Sequence, residues 1–382
     1  MTAPLQGITV VDFSQFLAGP YASLKLLDMG ARVIKVENPD KGDLCRHLYL
    51  SQTVVGSDST LFHAINRGKE SISLDLKSST GLDAAKRLIL RADVVIQNFR
   101  PGVIERLGLG YDAVRELKPD IVYGSISGYG ETGEWANLPG QDLLAQARSG
   151  IMWLTGNADQ GPVPIGLPIA DITAGAALVQ GVLGALFRHA RTGQGAKVQT
   201  SLLEALLDLQ FEFLTTYLNN GESPPVRAEK GSAHGYLAAP YGVYETQSGH
   251  LALAMTPLAK LAGLLDAPEL TVAANEVNGE FTQRAAIFSH LQHIFLKRSA
   301  TSWEEYLGSH GVWCAKVLNW NEVIKGSTPP VSDMLAHVRE AKGSLTMINA
   351  PYCIDGNRRQ IDRIGPTLDQ HGQAIRREIG LI

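Results

Sequence analysis

Over roughly its first 130 residues the chain alternates short apolar runs with stretches of helical period. Gly7–Phe13 (GITVVDF) and Ala31–Val36 read as strands buried on both faces, because their apolar residues are consecutive rather than alternating. Between them Tyr21–Met29 has helical spacing and stops at Gly30. Ser71–Leu76, Asp93–Gln97 and Ile121–Ser125 are further strands, and Gly81–Arg91 reads as a helix between two of them. Strands separated by helices need crossover connections. The pattern therefore predicts βαβ units and an α/β fold with an open, mostly parallel sheet. Such a sheet holds its ligand in the crevice beyond the carboxyl ends of its strands.

The rest of the chain divides by composition. An apolar helix is expected at 172–190, with Ile172, Ala176, Val179, Leu183 and Phe187 at helical spacing and Gly193 and Gly195 ending it. Leu202–Leu218 reads as another helix, and Asn219–Ala228 as a polar, Pro-rich connection. Tyr241–Met255 alternates like a hairpin turning at Ser248-Gly249, and helical patterns follow to about 325. Pro329-Pro330 marks a further connection. The expected organisation is a large domain over 1–200, a linking helix and connection over 201–225, and a smaller inserted α+β domain over 226–325. Residues 326–382 then return to the large domain.

Several function classes drop out. With 45% apolar and 19% charged residues the chain can bury a sizeable core. A net charge of −4 without a Lys/Arg run gives no footprint for nucleic acid, and no uninterrupted apolar run suits a membrane. Cys45, Cys314 and Cys353 are far apart, which leaves no disulfide framework or zinc motif and points to a reduced, cytoplasmic setting. The N-terminus shows no basic-then-apolar signal pattern. The first strand is followed by Ser14–Pro20 (SQFLAGP), not G-x-G-x-x-G, and Asn66–Glu70 (NRGKE) lacks the upstream Gly and the Ser/Thr of a P-loop. No H-E-x-x-H occurs, His290 and His293 read as a surface pair, and Ser125 and Ser127 lack a nucleophile elbow.

Asp171 stands immediately ahead of the long apolar helix. Taken alone it is an N-cap, accepting hydrogen bonds from the first helical N–H groups. A helix N-terminus also favours the ionised carboxylate, the form a carboxylate nucleophile needs. The two readings are compatible.

A series of segments, in order, resembles the class III CoA-transferases, the formyl-CoA transferase and carnitine CoA-transferase family. These are Asp12–Pro20, Gly30–Glu37 with Gly42-Asp43 and Arg46, Asn66–Lys69 leading into Leu74–Lys77, and Asn98–Gly102 with Arg106-Leu107-Gly108. They continue with Ser127–Gly130, Asp142 with Gln146 and Ser149-Gly150, Ala170-Asp171, Thr192–Gly195 and the tail Gly365–His371. The resemblance is loose over about 225–340.

It implies a Rossmann-like large domain with the smaller insertion, and an interlocked homodimer. It implies CoA transfer from an acyl-CoA donor to a small carboxylic acid, with no tightly bound cofactor and no metal. Asp171 would be the nucleophile, passing through acyl-anhydride and aspartyl-CoA thioester intermediates, with backbone N–H groups at the helix start as oxyanion donors. Gln15, Leu17, Ala18, Asn38, Leu74, Lys77, Asn98, Phe99, Arg100, Arg106 and Asp142 match positions of the CoA site, with Arg46 as a further cation. Without the resemblance, Arg106 and Lys77 are surface charges, Leu17 and Ala18 a loop, and Phe99 a core aromatic.

The chain departs from formyl-CoA transferase at Asn38, where that enzyme has arginine. It also departs at Gln15 and Leu17, which stand in place of His and Gln, and at Lys230–Gly235, which is less Gly-rich. The alternative is 2-methylacyl-CoA racemisation on the same fold. Those racemases use a Gly-His-Asp triplet where this chain has Gly140-Gln141-Asp142, and glutamine cannot serve as the base. A CoA-binding scaffold without catalysis is a further class, against which an intact Asp171 argues.

Overall fold

The computed structural model describes residues 3–326 and 329–382. It resolves into two compact units, one of Met1–Arg148, Leu167–Leu209 and Thr328–Ile382, the other of Ser149–Gly166 and Gln210–Ser327.

The first unit is built on a six-stranded sheet: β1 (Thr9–Asp12), β2 (Arg32–Glu37), β3 (Glu70–Ser73), β4 (Val94–Gln97), β5 (Val122–Ser127) and β6 (Ala196–Ser201). Every pairing is parallel. Val10, Val11, Val33, Ile34, Ile72, Val94, Val95, Ile96 and Val122 are buried, and in β1, β2 and β4 their succession gives the largely apolar runs of the sequence. The spatial order is β3-β2-β1-β4-β5-β6, so the direction of winding reverses between β1 and β4. A crevice opens at such a reversal, beyond the strand ends.

β6 is absent from the strands read in the sequence. Its residues AKVQTS form an edge with alternating half-buried positions, and no apolar run announces it. The opposite edge, β3, is closed by the C-terminal tail. Ser71 N–H donates to His371 Nδ1 (3.2 Å), Ser73 N–H donates to Asp369 Oδ1 (2.7 Å), and Arg376 Nη2 donates to Ser73 O (2.9 Å). This leaves β3 no free ladder to pair with another chain.

Helix α1 (Ala18–Asp28) follows β1 and α2 (Thr60–Asn66) precedes β3; α3 (Ser79–Leu90), α4 (Val103–Arg106) and α5 (Tyr111–Leu117) connect the later strands. α6 (Asp142–Ser149) leads to α7 (Ile169–Thr192), which has 24 residues. Among the described residues α7 is the helix long and apolar enough to cross a membrane, although Asp171 and Gln180 interrupt its apolar run. In this unit its apolar face packs on the sheet and on α1. Leu178 reaches Gly124 of β5, Val198 of β6 sits against Gly181, and Ala18 O lies where a Cβ on Gly175 would be 2.7 Å away.

The helix expected over Leu202–Leu218 is broken at Gln210 into α8 (Leu202–Leu209) and α9 (Phe211–Asn219). The break coincides with the boundary between the units. A hairpin of Leu335–Glu340 and Gly343–Ile348 completes the first unit, after a short helix that Pro329 opens.

In the second unit Gly242–Glu245, His250–Leu253 and Cys314–Lys316 make an antiparallel three-stranded sheet, with the turn at Ser248-Gly249. One face packs on helices through Tyr244, Leu251, Leu253, Leu291, Phe295 and Trp303. His290 lies 3.5 Å from Glu269, His293 bonds Ser289 O, and no metal-binding cluster occurs among the described residues.

Candidate active site

The loop after β1 and the residue after β4 meet across the crevice of the first unit. Asn98 Nδ2 donates to Gln15 O and Gln15 N–H donates to Asn98 Oδ1, both at 2.8 Å. This reciprocal pair fixes the loop Ser14–Leu17 against the end of β4. Leu17 packs with Cys45, Phe62 and Ile65, and Ala18 is buried at the start of α1.

Beneath the loop lies a network of buried charge. Lys69 Nζ contacts Asp12 Oδ2 (3.1 Å), Pro20 O (2.9 Å), Ser23 Oγ (2.8 Å) and Asn66 Oδ1 (2.9 Å). Lys35 pairs with Asp43 at 2.7 Å and donates to Ser14 O at 2.8 Å. Against the cost of burial, Lys69 and Lys35 hold Asp12 at about 2, with Ser14 and Ser23 as hydrogen-bond donors. Burial lowers the Lys69 ammonium to about 8. Arg46, a candidate CoA cation in the sequence, is 3% exposed and bonds Glu37, Asp58 and Pro366 O. Its guanidinium is occupied by the scaffold, because a buried Arg must be fully paired.

Asp171 is the third residue of α7, not its cap. The cap position is Pro168, which offers no side-chain acceptor. The missing acceptor comes from α6. Asp142 Oδ1 accepts the N–H groups of Ala170 (2.6 Å) and Asp171 (3.3 Å), and Gln146 Nε2 donates to Asp142 Oδ2 (2.7 Å). Asp142 therefore takes the N–H groups of Ala170 and Asp171, which the sequence reading offered as oxyanion donors. A close approach of two glycines brings it there. A Cβ on Gly140 would lie 2.6 Å from the Gly128 Cα, so the chain before Asp142 crosses directly over the loop after β5.

Burial, and then the Asp142 carboxylate beside it, push Asp171 up to about 7. A helix N-terminus lowers a carboxylate pKa, but here desolvation outweighs the dipole, whose N–H groups are already spent on Asp142. Near neutrality Asp171 thus exchanges between acid and carboxylate. Its ionised form is more basic than an ordinary aspartate, the property a covalent carboxylate nucleophile uses.

The remaining sequence candidates fall into three sets. Lys77, which follows β3, and Arg100 and Arg106, which follow β4, are exposed, and among the described residues their charged ends have no protein acceptor. Leu74 is buried in the core and Phe99 packs against that core from its edge. Asn38 closes its own turn, accepting from Asp40 N–H (2.9 Å) and Lys41 N–H (3.0 Å).

A family model described as "CoA-transferase family III" matches residues 5–372. The chain belongs to CoA-transferase family III. This family III chain is 32% identical over 382 residues to acetyl-CoA:oxalate CoA-transferase of Acetobacter aceti, covering 98% of the chain and 95% of that relative. It is 40% identical over 257 residues to succinate–glutarate CoA-transferase of Agrobacterium fabrum, covering 66% of the chain and 63% of that relative. The crystal structure of Rv3272 from Mycobacterium tuberculosis superposes with a TM-score of 0.84 at 29% identity, over 98% of this chain and 99% of that one. Rv3272 is named a probable fatty acyl-CoA transferase. The family III chain is thus a transferase enzyme, and CoA-transferases take CoA thioesters as cosubstrates.

The sequence reading missed how this family III site is held. It named Asp142 only as a position of the CoA site and did not foresee that its carboxylate caps α7. It left Asp43, Lys35 and Lys69 as motif letters. A cue was present, since charged residues inside apolar runs, such as Lys35 in RVIKVE, must be paired when buried.

Proposed function

We propose that this enzyme moves CoA from an acyl-CoA donor to a small carboxylic acid through covalent intermediates on Asp171. The carboxylate of Asp171 attacks the donor thioester carbonyl, the C–S bond breaks, and a mixed anhydride and CoA thiolate form. The thiolate attacks the Asp171 carbonyl and releases the donor acid, leaving an aspartyl-CoA thioester. The acceptor carboxylate displaces CoA to make a second anhydride. The thiolate then takes the acceptor acyl group and restores the Asp171 carboxylate. No net proton is consumed, and each step attacks an activated carbonyl.

The observation that carries this reading is the buried Asp171 carboxyl, raised to about 7, at the head of α7 in a family III chain. Lys77, Arg100 and Arg106, exposed and without an acceptor among the described residues, are the cations offered to the CoA phosphates, which a protein of net charge −4 must meet locally. Relatives named for oxalate and glutarate support a dicarboxylic acceptor, with acetyl-CoA or succinyl-CoA as donor.

The test is mass spectrometry of the peptide containing Asp171 after incubation with these donors and no acceptor. A CoA adduct with matching release of donor acid is expected, and neither from Asp171→Ala. Transfer activity retained by Asp171→Ala would overturn the proposal.

A further inference from the structure

We propose that the ring of Phe16 shields the covalent intermediates on Asp171 from water, and that Asp43 is the positioning residue that holds it. This rests on the reaction proposed above. Phe16 has φ +63°, a left-handed backbone that L-residues with bulky side chains avoid. The other non-glycine residues with positive φ among the described residues are Gln52, Glu222, Asp266, Asn278, Asp355 and Asp369, all polar. An apolar aromatic in this conformation, with its side chain left 47% exposed, is not a packing solution. Strain of this kind persists only where the surroundings impose it, and it gathers at functional sites.

The surroundings do impose it. Phe16 N–H donates to Asp43 Oδ1 (3.2 Å), and the same oxygen accepts Cys45 N–H (2.9 Å). The Asp43 carboxylate is fully buried against Lys35, which also grips Ser14 O. On the far side of the loop Asn98 clamps Gln15. The turn at Phe16 is therefore fixed on both flanks, with the residue left half-exposed.

Two relations place the turn that carries that ring near Asp171. Gly175 abuts Ala18 O, two residues after Phe16, and Asp171 lies one turn before Gly175 on the same face of α7. Cys45, which shares Asp43 with Phe16, lies within electrostatic reach of the Asp171 carboxylate. Both intermediates on Asp171 are open to water. Addition of water to the aspartyl thioester breaks the C–S bond, places the hydroxyl on the carboxyl carbon and sends CoA off as the thiol. The donor thioester is then lost as free acid and free CoA. An apolar ring over the carbonyl excludes that water and leaves the acceptor carboxylate as the competing nucleophile.

The experiment measures free CoA thiol and acyl-CoA product in the same reaction, for the wild type, Phe16→Ala, Phe16→Tyr and Asp43→Asn. Phe16→Ala is expected to raise the ratio of hydrolysis to transfer by about tenfold or more, with a smaller change in the KM for the donor, and Phe16→Tyr to restore the ratio. Asp43→Asn is expected to raise the ratio too, and to add nothing once Phe16 is Ala. If Asp43→Asn does not fold, the two Phe16 variants carry the test alone. An unchanged ratio in Phe16→Ala, or a Tyr variant as leaky as Ala, overturns the proposal. A wild type that transfers CoA but shows that unchanged ratio removes this inference only. A wild type that forms no adduct on Asp171 removes the reaction beneath it.

Discussion

Asp171 combines two requirements that conflict. Burial would sharpen the nucleophilicity that the proposed reaction asks of it and also makes its charge costly, and the Asp142 carboxylate adds to the cost. Because its folded value is about 7 and its ordinary value is 3.8, the folded state holds an extra proton between those limits. Stability attached to this group is complete below about pH 4 and is lost as pH rises through about 7. Asp171→Asn, which never ionises, is therefore expected to melt above the wild type at pH 8, with the gap closing towards pH 4. Calorimetry across that range checks the sign. If Asp171 acts as proposed, kcat/KM of the wild type for the donor should rise with pH through about 7 as its carboxyl ionises.

At the scale of elements, the fit of α7 onto α1 decides where Asp171 sits. Gly175 makes that fit possible. A Cβ there would lie 2.7 Å from Ala18 O and 2.9 Å from the Tyr21 ring, and the first of these is backbone that cannot rotate away. In an open helix interior Gly→Ala gains roughly 1 kcal/mol. Here overpacking should dominate, so Gly175→Ala is expected to lose about 1–3 kcal/mol and to depress activity by shifting the crevice loop. Gly184, on the same helix with nothing within 4 Å, should show the opposite sign when changed to Ala. Denaturant unfolding of the two variants side by side gives the comparison. Equal responses would mean that the α1–α7 contact does not limit the fold.

For the molecule as a whole, a chain of net charge −4 must capture a polyanion. Arg106, exposed and without an acceptor among the described residues, ends the short helix α4 that follows β4. A charge-assisted contact to phosphate is worth roughly 1.5–3 kcal/mol, so Arg106→Ala should raise the KM for the acyl-CoA donor roughly tens-fold. The acceptor acid carries no nucleotide and its KM should barely move. Steady-state kinetics on both substrates checks this. An unchanged donor KM would make Arg106 ordinary surface charge.

What the sequence by itself determined is whatever depends on local pattern. Consecutive β-branched residues make a strand that is buried on both faces, so β1, β2, β4 and β5 were legible to within about two residues, as was the crossover order that makes their sheet parallel. Motif letters brought Gln15, Asn98, Asp142 and Asp171 forward as site residues. Tertiary structure decided what depends on partners distant in the chain. β6 has no apolar run and exists because β5 offers it a ladder. The break at Gln210 carries no proline or glycine to announce it. Asp171 reads locally as a cap, but the cap is Asp142, 29 residues away in sequence. Arg46 reads as a candidate CoA cation, but it is buried and paired with Glu37 and Asp58. The physical reason is common to all four. Hydrogen-bond satisfaction and desolvation are settled by which groups meet in space, and a one-dimensional pattern records only which neighbours a residue has along the chain.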